Sequence, residues 1–92
     1  MDRIAARARI TGHVQGVAYR AWTRGRARAL GLTGWVKNCD DGSVRAWFEG
    51  DPEAVQAMLS ELWTGPGAAV VTDVRSEEAA PQGHFRTFEI TG

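Results

Sequence analysis

Residues 31–50 read GLTGWVKNCDDGSVRAWFEG. Two short runs inside this stretch, Leu32 to Asn38 and Ser43 to Glu49, carry the β-branched and aromatic residues of strands. In the second run Val44, Ala46 and Phe48 alternate onto one side. The link Cys39-Asp40-Asp41-Gly42 ends in the Asp-Gly pair that favours a tight reversal. The stretch is therefore predicted to be an antiparallel hairpin, and the elements flanking it decide the fold.

On its N-terminal side, Ile4, Ala6, Ala8 and Ile10 alternate with Arg3, Ala5, Arg7 and Arg9, the period of a half-buried strand. A loop from Gly12 to Gly16 ends that strand. From about Val17 to Leu30, Tyr19, Thr23, Ala27 and Leu30 share a helical face with Trp22 beside them, and Gly31 stands where a helix stops. On the C-terminal side, Asp51 is placed to cap a helix opening on Pro52, with Val55, Met58, Leu59 and Leu62 as its apolar stripe. Gly65-Pro66 ends it. Ala68 to Val74 and Phe85 to Ile90 read as the last strands, separated by a loose Glu77 to Gly83 segment. A hairpin between two strand–helix units lets two right-handed crossovers interlock. The expected fold is α+β, a ferredoxin-like split βαβ sandwich (βαββαβ) whose antiparallel sheet carries both helices on one face. Many unrelated activities use that architecture, so the fold alone names none.

Ninety-two residues with 43% hydrophobic content are enough for one domain, residues 1–92, with its own core. The single cysteine, Cys39, excludes an internal disulfide, and no basic, apolar and small-residue succession opens the chain. No apolar run approaches the ~20 residues that span a bilayer. A cytoplasmic protein acting away from membranes is expected. The net charge is zero, yet residues 1–28 hold seven arginines against Asp2 alone, so the first third carries 7 − 1 = +6 and the rest −6. A small anion would be steered towards that third. His13 and His84 have no Cys, Asp or Glu at ligand spacing, so a metal site is not expected.

Within Gly12-His13-Val14-Gln15-Gly16-Val17-Ala18-Tyr19-Arg20, a glycine loop leads into a helix whose first turn carries an arginine and no acid. Helix N-termini bear positive partial charge and unpaired N–H donors, so an exposed arginine there costs roughly 0.3–1 kcal/mol. An anion bound by the loop and the guanidinium together resolves the conflict. Gly16 permits backbone angles closed to other residues, so the amides of Gln15, Gly16, Val17, Ala18 and Tyr19 can curl around phosphate oxygens, with Arg20 closing the cradle. An ordinary strand-to-helix turn with Arg20 in water is the competing reading. Asn38 likewise reads either as an Asx residue opening the hairpin or as an amide that binds a water beside the phosphate. Cys39 and Arg45 match the bare spacing of a cysteine-dependent phosphatase loop. Asp40 and Asp41 argue against it, because a reactive thiol needs a positive neighbourhood.

These residues carry a family resemblance. Gly12-x-Val14-Gln15-Gly16-Val17-x-Tyr19-Arg20 is similar to the phosphate-loop signature of the acylphosphatases, and Leu30-Gly31-Leu32-x-Gly34-Trp35-Val36-x-Asn38-x-x-Asp41-Gly42-x-Val44 to their second signature. Gly50-Asp51-Pro52 and Phe88-Glu89-Ile90 also fit, so the resemblance spans nearly the whole chain. It implies metal-independent hydrolysis of the carboxyl–phosphate anhydride of acyl phosphates to a carboxylate and inorganic phosphate. Arg20 and the amides of residues 15–20 would hold the phosphoryl group, and Asn38 would orient the attacking water. No cofactor, nucleic acid or membrane partner is implied, and a monomer is expected. Tyr19 replaces the more usual phenylalanine and adds a hydroxyl that needs a partner, and the chain ends Ile90-Thr91-Gly92 without the arginine that often follows. Two rivals remain open: a phosphate sensor without turnover, and an RNA-binding sheet that uses Trp35, Trp47 and Phe48.

Overall fold

The computed structural model describes residues 2–92. In chain order the elements are β1 (Ile4–His13), α1 (Tyr19–Ala29), β2 (Thr33–Asn38), β3 (Val44–Gly50), α2 (Pro52–Leu62), β4 (Val70–Ala79) and β5 (Phe88–Ile90). One sheet runs β4-β1-β3-β2-β5. β1 and β2 both pair antiparallel with β3, and β1 pairs antiparallel with β4.

Alternation along the strands decides which face is covered. Ala6, Ala8 and Ile10 of β1, Val36 of β2, and Val44, Ala46 and Phe48 of β3 are buried in one cluster with Tyr19 and Ala27 of α1 and Val55, Met58 and Leu62 of α2. Both helices therefore lie on the same side of the sheet. Phe48 stacks on Phe88 with ring centroids 5.2 Å apart, pinning β5 to the core. Burying a side chain of that size stabilises the fold by about 1.5–3 kcal/mol. At α2, Asp51 occupies the cap position in extended geometry, and its carbonyl, not its carboxylate, accepts the Val55 N–H at 3.0 Å. Pro52 contributes by having no N–H to satisfy.

The last third departs from the sequence reading. β4 runs on to Ala79, where Ala5 pairs Ala79 and Arg7 pairs Glu77. An edge strand can expose both faces, so its polar residues carry no inward alternation to read. β5 is only three residues long and pairs parallel to β2, so the sheet is mixed, an antiparallel core with one parallel edge. The reason is topological. The chain leaves β4 at one edge of the sheet and returns at the other.

The crossing segment is held by a buried acid. Glu49 is 1% exposed and accepts hydrogen bonds from Trp47 Nε1 at 2.6 Å, Gln82 N at 2.9 Å and Gly83 N at 3.1 Å. The segment expected to be loose is thus tied to the sheet at its far end. Burial pushes the Glu49 carboxyl up, but the three donors and the charge of Arg3 outweigh it and leave the pKa below the ordinary 4.5. A depressed pKa means stability that is present above 4.5 and lost as pH falls through the lower folded value. The thermal midpoint of Glu49→Gln should therefore lie below the parent's at pH 7, with the gap closing as the pH is lowered past 4.5 and through the folded value. Unfolding scans across that range check this, and a gap that stays constant would show that the charge contributes nothing.

Candidate functional site

Because β1 and β2 share β3 as an antiparallel neighbour, they run parallel to each other and end at the same edge of the molecule. Ile10 and Asn38 both face Val44 in the register. The loop that leaves β1 thus emerges beside the residue that closes β2. Between them lies a cavity of about 200 Å³, lined among others by Gln15, Gly16, Ala18, Arg20, Asn38 and Ile90. Tyr19 also contributes to its wall. Val17 does not, because its side chain packs against the hydrophobic core.

The loop backbone alternates through left-handed conformations, with Gly16 at φ 75° and Ala18 at φ 62°. Ala18 is the N-cap of α1, and no side chain caps that end. None of the backbone N–H groups from Gln15 to Ala21 meets an acceptor among the described residues. Successive free amides on a turn of this kind form a concavity that suits an anion, reinforced by the helix dipole. Ala18 is the one described non-glycine residue at positive φ. That geometry costs an L-residue about 1–2 kcal/mol, so a strained backbone is held at the mouth of the cavity. Ala18→Gly relieves the strain but frees the unfolded chain by about 0.4–1 kcal/mol. The net expectation is a gain of about 0.5–1 kcal/mol in unfolding free energy by urea titration. A loss would show that the alanine is unstrained.

Arg20 is half-buried and pairs with no acid among the described residues, unlike Arg26, which meets Glu61 at 2.6 Å, and Arg28, which meets Glu89 at 2.6 Å. The Asn38 Oδ1 is buried without a hydrogen-bond partner. An orphaned buried oxygen costs about 1–3 kcal/mol unless a ligand or water meets it. The Gln15 Nε2 donates to Cys39 O and to Ser43 O, both at 2.8 Å, strapping the loop to the β2–β3 turn. Tyr19, whose hydroxyl needed a partner, donates to Leu62 O at 2.6 Å and so satisfies a carbonyl at the end of α2. Burial pushes the Tyr19 pKa well above its ordinary value.

The chain matches the acylphosphatase family model over residues 6–90. It belongs to the acylphosphatase family. The acylphosphatase of Rhizobium meliloti (strain 1021) is 53% identical over 90 residues, covering 98% of this chain and 95% of its own. The acylphosphatase structure from Coxiella burnetii superposes with a TM-score of 0.93 at 32% identity, covering 98% of this chain and 94% of that one. The Bacillus subtilis acylphosphatase structure also gives 0.93 at 32% identity, with coverage of 97% and 99%. As an acylphosphatase the chain is a hydrolase of acyl phosphate anhydrides. No described helix is long and apolar enough to cross a membrane, and no described cluster of His, Cys, Asp and Glu has the grouping of a metal site.

The cysteine-phosphatase reading falls on geometry. Cys39 lines neither this cavity nor the larger groove on the open face of the sheet, while Arg45 lies in that groove. The two residues do not form a phosphatase loop. Phe48 is fully buried, so it offers no platform to RNA. Three lining residues, Val14, Ala21 and Ile90, were not named from the sequence, and the strap made by the Gln15 side chain was not foreseen; Ile90 reaches the cavity because β5 joins β2. The roles of Ile90 and of the Gln15 side chain carry no local signal, since both depend on partners far along the chain.

Proposed function

We propose that the amides of residues 15–20 and the Arg20 guanidinium hold the phosphoryl group of an acyl phosphate, and that Asn38 orients the water that attacks it. The observation that carries this reading is the convergence of three unsatisfied features on one cavity: free amides, an unpaired arginine, and the orphaned Asn38 Oδ1. A proton of the attacking water meets that oxygen, and phosphate oxygens meet the donors.

The chemistry follows from what lines the wall. No carboxylate, histidine or cysteine is among the lining residues, and the Tyr19 hydroxyl is already committed to Leu62 O. The site therefore has no group ready to protonate a leaving alkoxide. An acyl phosphate does not need one, because its leaving group is a carboxylate, stable as an anion above a pKa of about 4. Water oxygen bonds to phosphorus as the acyl oxygen departs, and the water proton passes to a phosphate oxygen. The protein supplies position and charge stabilisation, which suffices for phosphoryl transfer to water. Selectivity for the anhydride thus comes from a missing acid. The enzyme works as a cytoplasmic monomer without metal, cofactor or nucleic acid.

Hydrolysis of a simple acyl phosphate and of a phosphate monoester, both in excess chelator, tests the reading. Turnover of the anhydride alone supports it. Comparable monoester turnover, or loss of activity on chelation, would overturn it.

A further inference from the structure

The face of the sheet away from the helices carries an unusual row. Arg75 of β4, Arg9 of β1, Arg45 of β3 and Lys37 of β2 stand directly opposite one another in register. Like charges placed so, about 4.5–5.5 Å apart between backbones, destabilise a sheet. Arg9 is offset by Asp41 at 2.7 Å and Arg75 by Asp73 at 2.9 Å. Arg45 and Lys37 pair with no acid among the described residues. The row spans three inter-strand steps, roughly 14 Å.

The neighbouring row runs Glu77, Arg7, Trp47, Trp35 and Glu89. The two rows flank a groove of about 580 Å³, to which Arg7, Arg9, Arg45, Arg75 and both tryptophans contribute. That volume is in the range of small-ligand pockets. Trp35 is half-buried and lines the groove with the Lys37 Nζ 5.5 Å from its ring, and Trp47 is 7% exposed with the Arg7 guanidinium 5.6 Å from its ring. The more exposed ring therefore stands between two cations without acid partners among the described residues, Lys37 over it and Arg45 lining the groove beside it.

We propose that this groove binds a nucleoside polyphosphate as a second site separate from the loop cavity, its base replacing the Lys37 ammonium on the Trp35 ring and its phosphates held by Arg45 within the groove and by the released Lys37 at its margin. Multiple phosphates answer the like-charge row, and a flat π-system answers the indole of Trp35, whose contact with a partly exposed lysine is weak enough to exchange. A nucleic-acid strand fits less well. It needs several stacking platforms, and of the two tryptophans in the row Trp47 is only 7% exposed, which leaves Trp35 alone. The site lies on the opposite side of the sheet from the helix-facing Asn38 row, so its occupancy does not depend on the roles proposed for the loop.

Calorimetric titration of the full chain with ATP in excess chelator tests the proposal, with inorganic phosphate present at saturating concentration to occupy the loop cavity. One-to-one binding that survives phosphate is expected, weakened by about tenfold or more in Arg45→Glu and in Trp35→Ala. Arg45→Glu should hydrolyse acyl phosphate at the parent rate, which also reports that it folds. Adenosine and inorganic triphosphate, each offering half of the ligand, should bind more weakly than ATP. Displacement of ATP by phosphate, unchanged affinity in both variants, or tighter binding of a single-stranded oligoadenylate than of ATP would each overturn it.

Discussion

Replacing Arg20 with alanine is expected to lower kcat/KM for an acyl phosphate by on the order of 10³ or more, the scale on which a guanidinium stabilises a phosphoryl-transfer transition state. The side chain stands at the start of α1, where helix polarity disfavours it, and no described acid neutralises it. A cation kept unpaired beside free amides is preorganised for an anion, so its loss affects bound phosphate as well as the transition state. Inhibition by inorganic phosphate should weaken in parallel. Arg20→Lys should recover only part of either property, because an ammonium cannot bridge two phosphate oxygens as the planar fork does. Steady-state rates and phosphate inhibition constants for both variants check this, and a lysine variant equal to the parent would show that charge alone is required.

Asn38→Ala separates binding from turnover. Its kcat should fall by on the order of 10² to 10³, comparable to the removal of one preorganised polar group from other active sites. Inhibition by phosphate should hardly change, because the amides and Arg20 remain. Stability gives a second, independent readout. The Asn38 Oδ1 has no partner to lose, so truncation removes a buried unsatisfied oxygen and should leave the melting temperature level or higher. A residue retained only to shape the turn would behave oppositely, with activity preserved and stability reduced. If Asn38→Ala turns over acyl phosphate at the parent rate, the water is oriented by another group.

These expectations use little beyond the loop, one arginine and one asparagine, and those residues were legible without coordinates. The arginine was conspicuous because it violates helix electrostatics, and Gly16 because a loop of this kind needs a positive φ. Ala18 was not legible. Alanine gives no hint of left-handed geometry, and only the closed path from β1 into α1 imposes φ 62° on it. Glu49 was equally silent: it sits on the face that alternation marks as exposed, yet the crossing segment covers it. The charged end of β4 was missed for the converse reason, an edge strand having no buried side to mark its period.

The sequence by itself determined the order of strands and helices and the side of β1 and β3 that faces the helices, and it singled out Arg20 and Asn38 as candidates. Each of these is a local property, written in periods of two or 3.6 residues and in the chemistry of single side chains. Only the tertiary structure decided that Asn38 meets the loop, that β5 joins β2 in parallel, and that Gln15 straps the two together across 24 and 28 positions. Periodicity reports which way a residue points, not which strand lies beside it. That neighbourhood is fixed when β1 and β2 both pair with β3, and the cavity exists because the shared partner brings their ends to one edge.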